Sequence, residues 1–119
     1  MSSIIRVVAV KDSICLVNND ILVVVNSKEY IYGLSSVNKM VLFTTDLGPY
    51  HDDMGLTIDV GNSDEITIMS EHRCFSPFLF DQIGKVLPID YQGIIDASSC
   101  ADNGVFEIYV REGSAESNR

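Results

Sequence analysis

His51, Asp52 and Asp53 stand in a row, with Asp46 and Tyr50 just upstream, inside the stretch TTDLGPYHDDMGLTIDV that runs from Thr44 to Val60. Imidazole and carboxylates ligate divalent ions and move protons, so metal-assisted hydrolysis is the first chemistry to weigh. Neighbouring residues on an extended segment point to opposite sides, however, and a metal centre here would need Asp46, Glu71 or His72 brought in from a strand end. Ser70-Glu71-His72-Arg73 sets an acid beside a second imidazole, half of an acid–base pair, yet no nucleophile in a recognisable setting goes with it. G-x-S-x-G, the P-loop pattern, G-x-G-x-x-G and H-E-x-x-H are all missing from the sequence. The expectation is a protein that is not an enzyme and holds no metal and no cofactor, with Asp46 and Asp52 capping turn amides.

Charge points elsewhere. Seventeen acidic side chains against eight basic ones give a net charge of -9, and between Met40 and His72 there is no Lys or Arg. Asp46, Asp52, Asp53, Asp59, Asp64, Glu65 and Glu71 all fall in that interval. Such an excess repels phosphate backbones and anionic lipid while drawing in basic proteins, so neither nucleic acid nor a membrane surface is expected as a direct ligand. The five tyrosines, Tyr30, Tyr32, Tyr50, Tyr91 and Tyr109, suit interfaces because the ring packs while the hydroxyl bonds. Tyr50 lies within the acidic loop, where it serves either as a contact or as a rim residue packed on the sheet edge. Together these define an expected partner-binding surface of Asp46, Tyr50, Asp52, Asp53 and Glu71.

The elements that must hold this surface read as one domain over 1–111, with a frayed tail at 112–119. Its 46% apolar content argues against disorder and lets 119 residues bury roughly two-thirds of their unfolded surface. Ile4 to Val10 and Ile14 to Val17 form two strands or one hairpin around Lys11-Asp12-Ser13. Asn18-Asn19-Asp20 and Ser27-Lys28 are turns, separating strands at Ile21–Asn26 and Glu29–Tyr32. Val37 to Thr44 enters the acidic loop, and Val37, Val41 and Phe43 share a face with the stem of Lys39. Beyond the loop, Met54, Leu56, Ile58 and Val60 alternate cleanly with Gly55, Thr57 and Asp59, and Gly61-Asn62-Ser63 turns the chain into Glu65–Ser70, a β-hairpin with Ile66 and Ile68 inward.

The period then changes. Ser76 is placed to cap a helix with Pro77 at its first position, and Leu79, Phe80, Ile83, Val86 and Leu87 recur at helical spacing. Gly84 should weaken that helix by up to about 1 kcal/mol relative to Ala. Pro88 stops it, Asp90 caps a second short helix through Ser98, and Val105 to Arg111 closes the chain as a strand. The expected fold is α+β: an antiparallel, strongly bent sheet of six to seven strands, one or two late helices packed on it, and a C-terminal strand. Cys15, Cys74 and Cys100, an odd number in apolar settings, read as buried thiols, and with no 18-residue apolar segment the expected location is a reducing cytoplasm.

The succession TTDLGPYHDD, an alternating strand, SEH, a helix and LPIDYQGIIDA resembles a group of small bacterial single-domain proteins without assigned catalysis, over about residues 37 to 110. In size and acidity the chain is similar to immunity proteins of contact-dependent growth inhibition and related toxin systems. That resemblance implies a cytoplasmic protein that binds and neutralises a basic, nuclease-type toxin domain. Two other functions compete with it: a pleckstrin-homology-like adaptor that takes a peptide along a sheet edge, and a small metal-dependent hydrolase working through His51 or His72.

Overall fold

The computed structural model describes residues 3–44, 54–61, 64–99 and 104–111. These form eight strands: β1 (Ser3–Val7), β2 (Ser13–Val17), β3 (Asp20–Val25), β4 (Lys28–Gly33), β5 (Lys39–Thr44), β6 (Met54–Asp59), β7 (Asp64–Met69) and β8 (Gly104–Val110). Two short helical segments, Pro77–Lys85 and α1 (Tyr91–Ser98), stand between β7 and β8. The α+β class, the late helices and the C-terminal strand agree with the sequence. The single bent sheet does not: the strands divide into a five-stranded sheet in the order β1-β7-β6-β5-β8 and a three-stranded sheet β2-β3-β4.

Nor is the pairing antiparallel throughout, because β1 runs parallel to β7, with Ser3 opposite Asp64 and Val7 opposite Ile68. The division begins at residues 8–12. The Asp12 carboxylate accepts the amides of Val8 (3.3 Å), Ala9 (3.0 Å) and, across the gap, Asn26 (3.3 Å), so the chain turns away from β1 instead of folding back on it as a hairpin. This strap carries the chain from one sheet to the other.

Period-two patterning builds the core. Ile5, Ile66, Ile58 and Met40 form one cross-strand row of the larger sheet, and Val7, Ile68, Leu56 and Leu42 form the next. All eight are buried, and they join Ile14, Ile21 and Val23 of the smaller sheet and Phe78, Leu79 and Ile83 of the first helical segment in one cluster. Full burial of an aliphatic side chain of this size stabilises by roughly 1.5–3 kcal/mol. In β5 the buried set is Met40, Leu42 and Thr44, so Val41 and Phe43 share the opposite, outer face with Lys39. There Phe43 lies across from Gly55, and a Cβ on Gly55 would collide with the Phe43 ring and reach 2.8 Å from the Met69 sulfur. A glycine is what lets these two side chains close over the strand.

The smaller sheet turns sharply at Asn26 (φ 55°) and Ser27 (φ 66°), two left-handed residues in the loop that matches the right-handed strand twist, one position earlier than Ser27-Lys28. The Asp90 cap is present: its Oδ1 accepts the amides of Gln92 (3.1 Å) and Gly93 (3.2 Å). The Ser76 cap is not. Ser76 is itself helical and makes no capping bond, and Pro77–Gln82 winds as a π turn in which the Ile83 amide reaches back five residues to the Phe78 carbonyl. Wider winding buries Phe78, Leu79 and Ile83 and leaves Phe80 and Val86 exposed.

Candidate interaction surface

Four strands of the larger sheet end together. Thr44 pairs with Met54 and with Gly104, and the Ser70 amide donates to the Met54 carbonyl at 2.9 Å. Thr44 and Met54, which flank residues 45–53, therefore meet here, and the exposed Glu71 follows directly from Ser70. Asp46, Tyr50, Asp52 and Asp53, as well as His51, lie outside the described residues, so Glu71 is the one expected contact whose place is defined.

The remaining acids of the Lys- and Arg-free interval go elsewhere. Asp59 closes the far end of β6, its Oδ1 accepting the Gly61 amide at 3.0 Å. Asp64 opens β7 and accepts the Tyr32 hydroxyl at 3.5 Å, which ties the two sheets together. Burial first, and then the Asp64 charge and hydrogen bond, push the Tyr32 phenol above its usual range. A six-residue strand is about 20 Å long, so acids contiguous in sequence are split between two ends of one hairpin. They do not form one face.

His72 and Arg73 are spent on holding the strap. The Cys74 amide donates to His72 Nδ1 at 3.1 Å, which makes Nδ1 an acceptor, and the hydrogen is therefore on Nε2, which donates to the Ala9 carbonyl at 2.9 Å. Arg73 donates through Nε to the Val10 carbonyl (3.1 Å) and through Nη2 to the Asp12 carbonyl (3.2 Å). As arranged, neither ring nitrogen is open to a metal ion or a substrate proton. Among the described residues there is no group of three His, Cys, Asp or Glu that could hold a metal.

Asp12 belongs to the same junction. Burial raises its pKa, but the amides of Ala9, Asn26 and Val8 together with the Lys11 charge outweigh burial and hold the carboxyl below the ordinary value of 3.8. Because the folded value is depressed, the stabilisation is complete above that ordinary value and disappears as the pH falls through the lower one.

Two clefts flank the strap. One, of about 340 Å³, is lined by Val7, Val10, Met69, Glu71, His72 and Arg73, with Val8 at its border. The other, of about 520 Å³, lies on the outer face of the larger sheet among Ile4, Arg6, Val8, Phe43, Thr57 and Met69. Val7, Val8 and Met69 are common to both. Sequence reasoning had no strand order with which to assemble either, although the shared face of Val41 and Phe43 was a usable sign.

Of the tyrosines, Tyr30, Tyr32 and Tyr109 pack partly against the core, whereas Tyr91 stacks on Phe80 at 6.4 Å between ring centroids and donates to the Gly84 carbonyl at 3.0 Å. Placing Phe80 in a buried α-helical stripe concealed this exposed pair. Cys74 is buried as expected, with its sulfur 3.3 Å from Arg73 Nη1; Cys15 is only half-buried, on the outer side of β2, because its neighbours Ile14 and Leu16 turn inward; Cys100 lies outside the described residues. Among the described residues, no helix is long and apolar enough to cross a membrane. No known protein family, curated protein or solved structure matches the chain.

Proposed function

We propose that this chain is a non-enzymatic binding protein of the immunity type, which neutralises a basic, nuclease-type toxin domain in the bacterial cytoplasm. The observation that carries the reading is the meeting of Thr44 and Met54, the residues that flank 45–53, at the sheet end where the exposed Glu71 follows Ser70, within a stretch free of Lys and Arg that holds Asp46, Tyr50, Asp52 and Asp53 in sequence. In this reading the carboxylates stand in for substrate phosphates, steer a basic groove toward the protein and block it, while Tyr50 serves as the anchor at the interface. The commitment of both His72 nitrogens to main-chain partners favours binding over catalysis.

Capture on the tagged protein from its native cell extract should retain a basic domain that is released as salt rises. Against that domain, the double charge reversal Asp52→Lys, Asp53→Lys should slow association by about tenfold or more at low salt and flatten its salt dependence. Unchanged association kinetics at low salt would remove this surface from the proposal.

A second reading draws on β4, an edge strand of the smaller sheet, whose Ile31 is 65% exposed. An adaptor that added a peptide strand to that edge would keep its affinity through the same charge reversal and lose it on Ile31→Asp.

A further inference from the structure

We propose that His72 is an acid-sensitive latch, which on protonation lets go of the Val8–Asp12 strap and so changes the walls of the two clefts beside it. The latch is independent of any particular partner, because it depends on the hydrogen-bond roles of one ring. At neutral pH the lone pair on Nδ1 accepts the Cys74 amide, and the hydrogen on Nε2 goes to the Ala9 carbonyl. A proton taken from solvent can add only at Nδ1, where it occupies the lone pair that the Cys74 amide was using. Two N–H groups 3.1 Å apart then face each other. The ring has to turn away, and turning it takes Nε2 off Ala9.

Charged and titratable neighbours surround the ring, but none of them duplicates its two hydrogen bonds. On the histidine's own segment stand the Glu71 carboxylate and the Arg73 guanidinium, of opposite charge, and the Cys74 thiol lies next to the amide that is displaced. On the strap, Lys11 adds positive charge and Asp12 negative charge, but the Asp12 carboxylate is already engaged by Val8, Ala9 and Asn26. β7 presents Met69, which does not titrate. Arg73 keeps its hold on Val10 and Asp12, so protonation loosens the strap on the Ala9 side and does not unfold the domain. Val8, 67% exposed, rides on the loosened Ala9 side and lines both clefts.

The test is nitrogen-15 NMR of the histidine rings together with amide exchange, corrected for intrinsic rates, on the full chain from pH 8 to pH 5. The expected result is the Nε2–H tautomer of His72 at pH 8. Exchange at Cys74, Ala9 and Asp12 should then accelerate by up to about tenfold, the scale of one lost hydrogen bond, with the midpoint of the His72 ring titration. His51→Gln should leave that behaviour intact and His72→Gln should abolish its pH dependence; if the second variant does not fold, the wild-type coincidence of ring and amide midpoints decides. A ring that titrates without any change at these amides overturns the latch, and so does a Cys74 amide that stays protected through pH 5.

Discussion

The two helical segments solve the same task, covering the inner face of a sheet, by opposite means. α1 starts on an Asp90 carboxylate that accepts two amides, and its winding follows the cap. Pro77–Lys85 starts without a side-chain cap, widens to a π turn and then tightens to a 3₁₀ turn. Each takes its phase from a different source: α1 from local capping chemistry, the other from the core that receives Phe78, Leu79 and Ile83. Gly84 is where they meet. A Cβ there would strike the Leu79 carbonyl five residues back and come within 2.7 Å of the Tyr91 hydroxyl. The wide turn needs a residue without a side chain at the point where it closes.

Three substitutions grade that contrast. Gly84→Ala should destabilise by about 1–3 kcal/mol in urea unfolding, because the obstacle is backbone and cannot rotate away. A stabilising alanine, as helix propensity alone demands, would mean that the segment relaxes to an ordinary α-helix. Asp90→Ala should cost about 1 kcal/mol and leave α1 frayed at its first turn, visible as faster exchange of the Gln92 and Gly93 amides. Ser76→Ala should stay within about 0.5 kcal/mol of the parent. If it costs as much as Asp90→Ala, Ser76 caps after all and the two segments are not of different kinds.

What could be read in advance follows the same line. Met54, Leu56, Ile58 and Val60 announce their strand because the period is printed in adjacent residues, and Asp90 announces α1 because its partners are two and three residues away. The π turn escaped because Leu79, Phe80 and Ile83 fit an α period equally well, and nothing local records that the core would pull the winding wider. Pairing of β1 with β7 escaped for a stronger reason: its register is fixed by residues some sixty positions apart, and either strand alone looks like any other apolar strand. For the candidate surface, the acid-rich interval was plain, but its division between two ends of the β6–β7 hairpin required the hairpin's length and direction. The structural commitment of His72 could not be foreseen, since its partners are main-chain atoms of Ala9 and Cys74, whose availability no side-chain identity encodes.

The parallel partnership of β1 also bears on how the chain becomes a protein in time. A ribosome adds roughly 5–20 residues per second, so β1 emerges several seconds before any of β7 exists. Meanwhile β2, β3 and β4 pair only with near neighbours and can assemble first, and β1 can pack on β3, whereas the main-chain partners of Ile5 and Val7 are missing until Ile66 and Ile68 arrive. Joining β1 therefore closes a long loop late, and such closure belongs with the slower, millisecond-to-second class of folding events. During that wait an apolar strand with unsatisfied main-chain groups is available to other chains, which makes β1 a segment in need of shelter while the domain is being made.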